Sequence, residues 1–95
     1  MKEELLQRSK SVLSDNSIVE VVIWRVPEPV PGSRHAYKYS LFFCRDGQRM
    51  VGFDNERGKG DHMHRDDVEE PYVFISVEKL MADFMAEIKK RRQRK

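Results

Sequence analysis

RHAYKYSLFFCRDGQRMVGFD, residues 34–54, reads as two strands around a tight turn. Tyr37, Tyr39, Leu41 and Phe43 fall on one side of an extended chain, because side chains alternate along a strand. Arg45-Asp46-Gly47 breaks the pattern with turn chemistry, and Gly47 tolerates positive φ. Residues 48–54 then return, so 34–54 is a β-hairpin.

Upstream, IVEVVIWRV (18–26) is rich in β-branched and aromatic residues and reads as a strand buried on most of both faces. PEPVPG (27–32) ends it with a stiff extended loop. Leu5, Leu6, Val12 and Leu13 suit either a strand or a short helix. Ser14-Asp15-Asn16-Ser17 is a good turn, which favours a hairpin of 4–13 with 18–26.

Downstream, residues 55–70 carry almost no apolar side chain except Met63 and Val68, and read as a long polar loop. PYVFIS (71–76) reads as a short strand. Val77, Leu80, Met81, Phe84, Met85 and Ile88 then recur at helical spacing, with Ser76 as N-cap. The expected fold is α+β: an antiparallel meander of four to five strands packed against one C-terminal helix.

Ninety-five residues make one domain, expected over 1–88. Residues 89–95, KKRRQRK, are expected to be a disordered basic tail. They hold six of the 18 basic residues, leaving 12 against 16 acidic in 1–88, a net of −4. Such a tail attracts polyanions in a salt-sensitive way, or simply keeps the protein soluble. Cys44 is the lone cysteine, so no disulfide forms within the chain, and its place in an apolar run suits core packing. No apolar stretch approaches the roughly 20 residues of a membrane span. The start does not resemble a signal peptide, so a cytoplasmic location is the expectation.

Two of the three histidines lie in DNERGKGDHMHRDD, residues 54–67. His62 and His64 face the same way if the chain there is extended. Cleavage of RNA needs a base, an acid and cations for the developing phosphorane, and histidine transfers protons near neutral pH. In that reading His62 and His64 share acid and base work without a metal. Lys59 and Arg57 stabilise the phosphorane, and Asp61 or Glu56 orients a histidine. The segment holds five acidic and three basic residues, so cations must come from elsewhere. Arg25, Arg34 and His35 are the candidates for RNA contact, with Lys38 beside them. Gly58 and Gly60 would let the backbone approach a ligand closely. A metal site on Asp61, His62 and His64, with Asp54 or Glu56, is the second reading. A loop without chemistry, in a protein- or nucleic-acid-binding module, is the third.

VVIWRVPEPVPGSRHAYKYSLFF (21–43), VGFDNERGKGDHMH (51–64) and EEPYVFISVEKLMADFMAEI (69–88) together resemble the TumE family of small toxin components from bacterial toxin–antitoxin pairs. The resemblance runs from about Leu5 to Ile88. It implies growth inhibition by the free toxin, which acts on RNA or translation, and a partner antitoxin, usually a helix-turn-helix DNA-binding protein. The matching positions are Asp54, Asn55, Glu56, Gly58, Lys59, Gly60, Asp61, His62 and His64, with Trp24, Arg25, Arg34 and His35. Position 53 is Phe where the resemblance leads one to expect Tyr. A second copy covering an apolar outer sheet face is a further expectation.

Overall fold

The computed structural model describes residues 2–55 and 58–93. Six strands follow one another in space as they do in sequence: β1 (Glu4–Val12), β2 (Ile18–Arg25), β3 (Tyr37–Arg45), β4 (Gln48–Asp54), β5 (His62–Arg65) and β6 (Val68–Pro71). All neighbours are antiparallel. One helix, α1 (Val77–Gln93), closes the chain. The α+β meander and the N-terminal hairpin are as expected, with six strands rather than four or five.

The β3–β4 hairpin turns at Asp46 (φ 52°) and Gly47 (φ 76°). Paired positive φ values match the right-handed twist of the strands. On one face of the sheet Val21, Ile23, Tyr39, Leu41, Phe43, Val51 and Phe53 are buried, and Leu80, Phe84 and Ile88 of α1 seal them. Each such side chain contributes about 1.5–3 kcal/mol of burial. A bulge at Met50, between the pairs Phe43–Val51 and Cys44–Arg49, keeps Val51 inward. Ser76 caps α1, accepting from the Lys79 N–H at 3.0 Å. β1 lies beyond the helix and is exposed along its whole length.

Two expectations are corrected. The polar loop 55–70 contains the hairpin β5–β6, whose turn has Asp66 at φ 56°. Ladder hydrogen bonds need no apolar side chain, so a short edge hairpin can be polar in sequence. Residues 72–76 are extended but pair with no strand. They cross from the sheet edge to the helix, with Tyr72 and Phe74 inward and Val73 and Ile75 exposed.

The helix α1 itself runs past Ile88 to Gln93. Arg91 is 8 % exposed and its guanidinium meets Asp66 at 3.2 Å and Glu87 at 3.8 Å. The apolar stripe does not announce this, because Arg91 extends that stripe by one turn with a charge. Arg91→Ala removes the cation at Glu87 Oε1, leaving Lys90 (3.4 Å) and Arg65 (4.0 Å) at Oε2, and is expected to cost about 1–2 kcal/mol. Urea denaturation checks it; a loss below about 0.5 kcal/mol would return the segment to a solvated tail.

Candidate functional site

Asp54, His62 and His64 converge on the sheet face opposite the helix. Phe53 and Met63 are cross-strand partners, and both belong to or pack against the core. Their neighbours therefore point the other way, and the register sets Asp54 opposite His62 and Gly52 opposite His64. Because β5 is extended, the two histidines share that face, with ring centroids 5.0 Å apart, edge to face. His62 Nε2 lies 2.5 Å from Asp54 Oδ1 and 3.3 Å from Glu69 Oε2. His64 Nε2 lies 3.8 Å from the same Glu69 oxygen. His62 is 4 % exposed, whereas His64 keeps 20 % of its side chain open to solvent.

The same face carries cations and aromatics. Arg8 pairs with Val22, Lys10 with Glu20 and Trp24 with Lys38, all on the side of Ser40 and Phe42. Arg49 lies over Gly52, where an added Cβ would come 3.3 Å from its Cδ. Burial, and then Arg49, hold His64 below the usual histidine value, with Glu69 partly opposing them. A cleft of about 990 Å³ runs between the proline-rich loop and the sheet, and ends at Asp54 and Asn55. Its charged lining is Glu3, Glu28, Lys38 and Asp54.

Asp61 is not part of this cluster. Its carboxylate accepts from Ser33 Oγ (2.7 Å), His35 Nε2 (2.7 Å) and Tyr39 Oη (2.6 Å), on the face that carries the core. The Tyr37 N–H donates to His35 Nδ1 at 3.2 Å, so Nε2 is the protonated nitrogen. The His35 ring stacks on Phe74, centroids 3.8 Å apart. The Tyr39 hydroxyl is raised far above its ordinary range by burial and by the hydrogen bond to Asp61. Asn55, buried, extends the ladder past Asp54: its side chain accepts from the Tyr39 N–H (2.9 Å) and donates to the Tyr37 carbonyl (2.7 Å) and Ser33 Oγ (3.3 Å).

What Gly60 approaches closely is the proline-rich loop. A Cβ on Gly32 (φ 98°) would come 2.6 Å from the Gly60 nitrogen, and the Gly58 N–H donates to the Pro31 carbonyl at 2.8 Å. The glycines thus serve loop docking.

Of the sequence candidates, then, His62 and His64 come together. Asp61 and His35 are joined to each other elsewhere. Arg25 pairs with Tyr37 and so shares the parity of the core face, while Arg34 and Lys59 are exposed on loops. Glu56 and Arg57 lie outside the described residues. Phe53 is buried against Tyr72 and Phe84, so a tyrosine hydroxyl there would not point at the histidines. Asp54 was only an optional ligand in the sequence reading, and Glu69, Arg49, Arg8 and Lys10 were missed. Strand parity could have found them only once β5–β6 was known as a hairpin.

Among the described residues no helix is long and apolar enough to cross a membrane. No curated protein and no solved structure matches the chain. A family model described as Toxin TumE matches residues 2–92, nearly the whole length, and the chain therefore belongs to the TumE toxin family.

Proposed function

We propose that this toxin acts by cleaving RNA on the helix-free face of its sheet, with the chemistry centred on His62 and His64. The observation that carries the reading is their convergence with two carboxylates beside Arg49, on a sheet face that also carries Lys38, Trp24 and Phe42 and, at its far edge, Arg8 and Lys10. Cations hold phosphates and aromatic faces stack unpaired bases, the combination that suits single-stranded RNA. Arg49 is placed to offset charge on a phosphorane near His64.

The histidines do not have equal access. His62 directs both ring nitrogens at protein acceptors, Gly60 O (3.1 Å) and Asp54 Oδ1 (2.5 Å). His64 is the member placed to meet substrate, and His62 supports it from behind. This argues against a symmetric sharing of acid and base roles. Membership of a toxin family implies a partner antitoxin, which we take to be a helix-turn-helix DNA-binding protein that neutralises the toxin by covering this face.

Induced expression in a bacterial host, with total RNA followed over time, tests the reading. The wild type is expected to arrest growth and degrade RNA. The His62→Ala/His64→Ala variant should slow RNA decay by about 100-fold or more, the scale of lost proton transfer. His64→Ala alone, folded by circular dichroism, guards against misfolding of the double variant. Equal toxicity of folded variants and wild type, or growth arrest with RNA intact, would overturn the assignment.

A further inference from the structure

His62 poses a hydrogen-bonding problem. The Gly60 carbonyl, 3.1 Å from Nδ1, can only accept, so Nδ1 carries the hydrogen. In a neutral ring Nε2 is then a lone pair, and it faces Asp54 Oδ1 at 2.5 Å. Two acceptors rest at that distance only with a cation between them, either the second proton of an imidazolium or a metal ion. Asp54 Oδ1 is also buried and accepts no aligned hydrogen bond among the described residues. Glu69 Oε2 brings a third acceptor to within 3.3 Å of the same nitrogen.

We propose that Asp54, His62 and His64 bind a divalent first-row transition ion such as zinc, with Glu69, which lies beside the two histidines, able to turn in as a fourth donor. One donor atom from each of Asp54, His62 and His64 lies within 4.8 Å of the others. A tetrahedral ion with bonds of about 2.0–2.2 Å separates its donors by about 3.3–3.6 Å. The observed spacings of 2.5, 3.3 and 3.8 Å bracket that value, so small side-chain rotations admit the ion. Two imidazoles and two carboxylates are a donor set for zinc, manganese or iron, and the carboxylates neutralise the ion's charge. The bond from Nδ1–H to a backbone carbonyl is the support that ligating histidines receive. Glu3, Glu28 and Asp54 outnumber Lys38 in the adjoining cleft, which draws cations inward. Arg49 opposes the ion from the His64 side, but its side chain is exposed and free to swing outward. This set differs from the sequence expectation by one residue: Asp54 takes the place of Asp61. The site does not depend on the proposed RNA chemistry, but it draws on the same His62 and His64 nitrogens, so a bound ion takes lone pairs that metal-free proton transfer would use.

The test uses full-length protein purified without a polyhistidine tag and stripped with chelator, titrated with zinc by calorimetry. Cobalt absorption serves as a second probe of coordination. One ion per chain, a rise in the thermal midpoint and visible cobalt bands are expected. Glu69→Gln should weaken binding about 10-fold and His64→Ala about 100-fold, each folded by circular dichroism. Binding well below one ion per chain, or variants that bind as the wild type does, would overturn the site. Zinc bound in full by a toxin that leaves RNA intact would uphold the site while removing the ribonuclease reading. RNA cleavage by stripped protein that takes up no zinc would do the reverse.

Discussion

Asp61→Ala is expected to lower the free energy of unfolding by about 3 kcal/mol and the thermal midpoint by about 12–24 °C. Three donors lose their acceptor at once: Ser33 Oγ, His35 Nε2 and Tyr39 Oη, the last on a residue only 3 % exposed. A hydrogen bond to a charged group contributes about 1.5–3 kcal/mol, but the three share one carboxylate and will not sum. Thermal and urea denaturation check the figure.

The pH dependence gives a sharper readout. Burial pushes the Asp61 carboxyl up, but hydrogen bonds from Tyr39, Ser33 and His35 outweigh it and hold the group below its ordinary 3.8. A depressed folded value means stability that is complete above the unfolded value and lost as pH falls through the folded one. Wild type should therefore lose stability below pH 4 more steeply than Asp61→Asn, which has no carboxyl to protonate. A difference between the two that stays constant from pH 7 to 2 would show that the charge is not what the three donors need.

Phe84→Ala should cost about 3–5 kcal/mol, a large part of the 5–15 kcal/mol that holds a domain of this size. Phe84 is 0 % exposed and meets Phe53 edge to face, centroids 6.0 Å apart. Phe53 in turn meets Tyr72 edge to face at 5.0 Å. Removing the ring opens a cavity between α1 and β4 that neither backbone can close. Met85, next along the helix and 52 % exposed, is the control: Met85→Ala should stay within about 0.5 kcal/mol. Similar losses at both positions in urea titrations would mean that the helix seats on another face. Because α1 covers the face opposite the histidines, Phe84→Ala should reduce toxicity only as far as it reduces the folded fraction.

The β3–β4 hairpin, β2 and the helix were legible because each repeats its chemistry at its own period. Tyr39, Leu41 and Phe43 alternate, Leu80, Phe84 and Ile88 recur every fourth residue, and Asp46-Gly47 supplies the turn. β5 and β6 were not legible, because an edge hairpin is held by main-chain bonds that leave no mark on side-chain polarity. Residues 72–76 misled in the opposite sense. They alternate apolar and polar environments, yet the alternation packs Tyr72 and Phe74 against aromatic neighbours rather than pairing a strand.

The candidate cluster divides along the same line. The sequence alone determined that His62 and His64 share a face wherever the chain between them is extended; that it is extended there was decided by pairing with β4. Tertiary structure decided their companions. The β4–β5 register set Asp54 against His62, and the β5–β6 register brought Glu69. Asp61, adjacent in sequence, went to the other face, where Ser33, His35 and Tyr39 hold it. Side chains that neighbour each other along a strand point apart, and only strand pairing, which sequence distance does not encode, determines which of them meet.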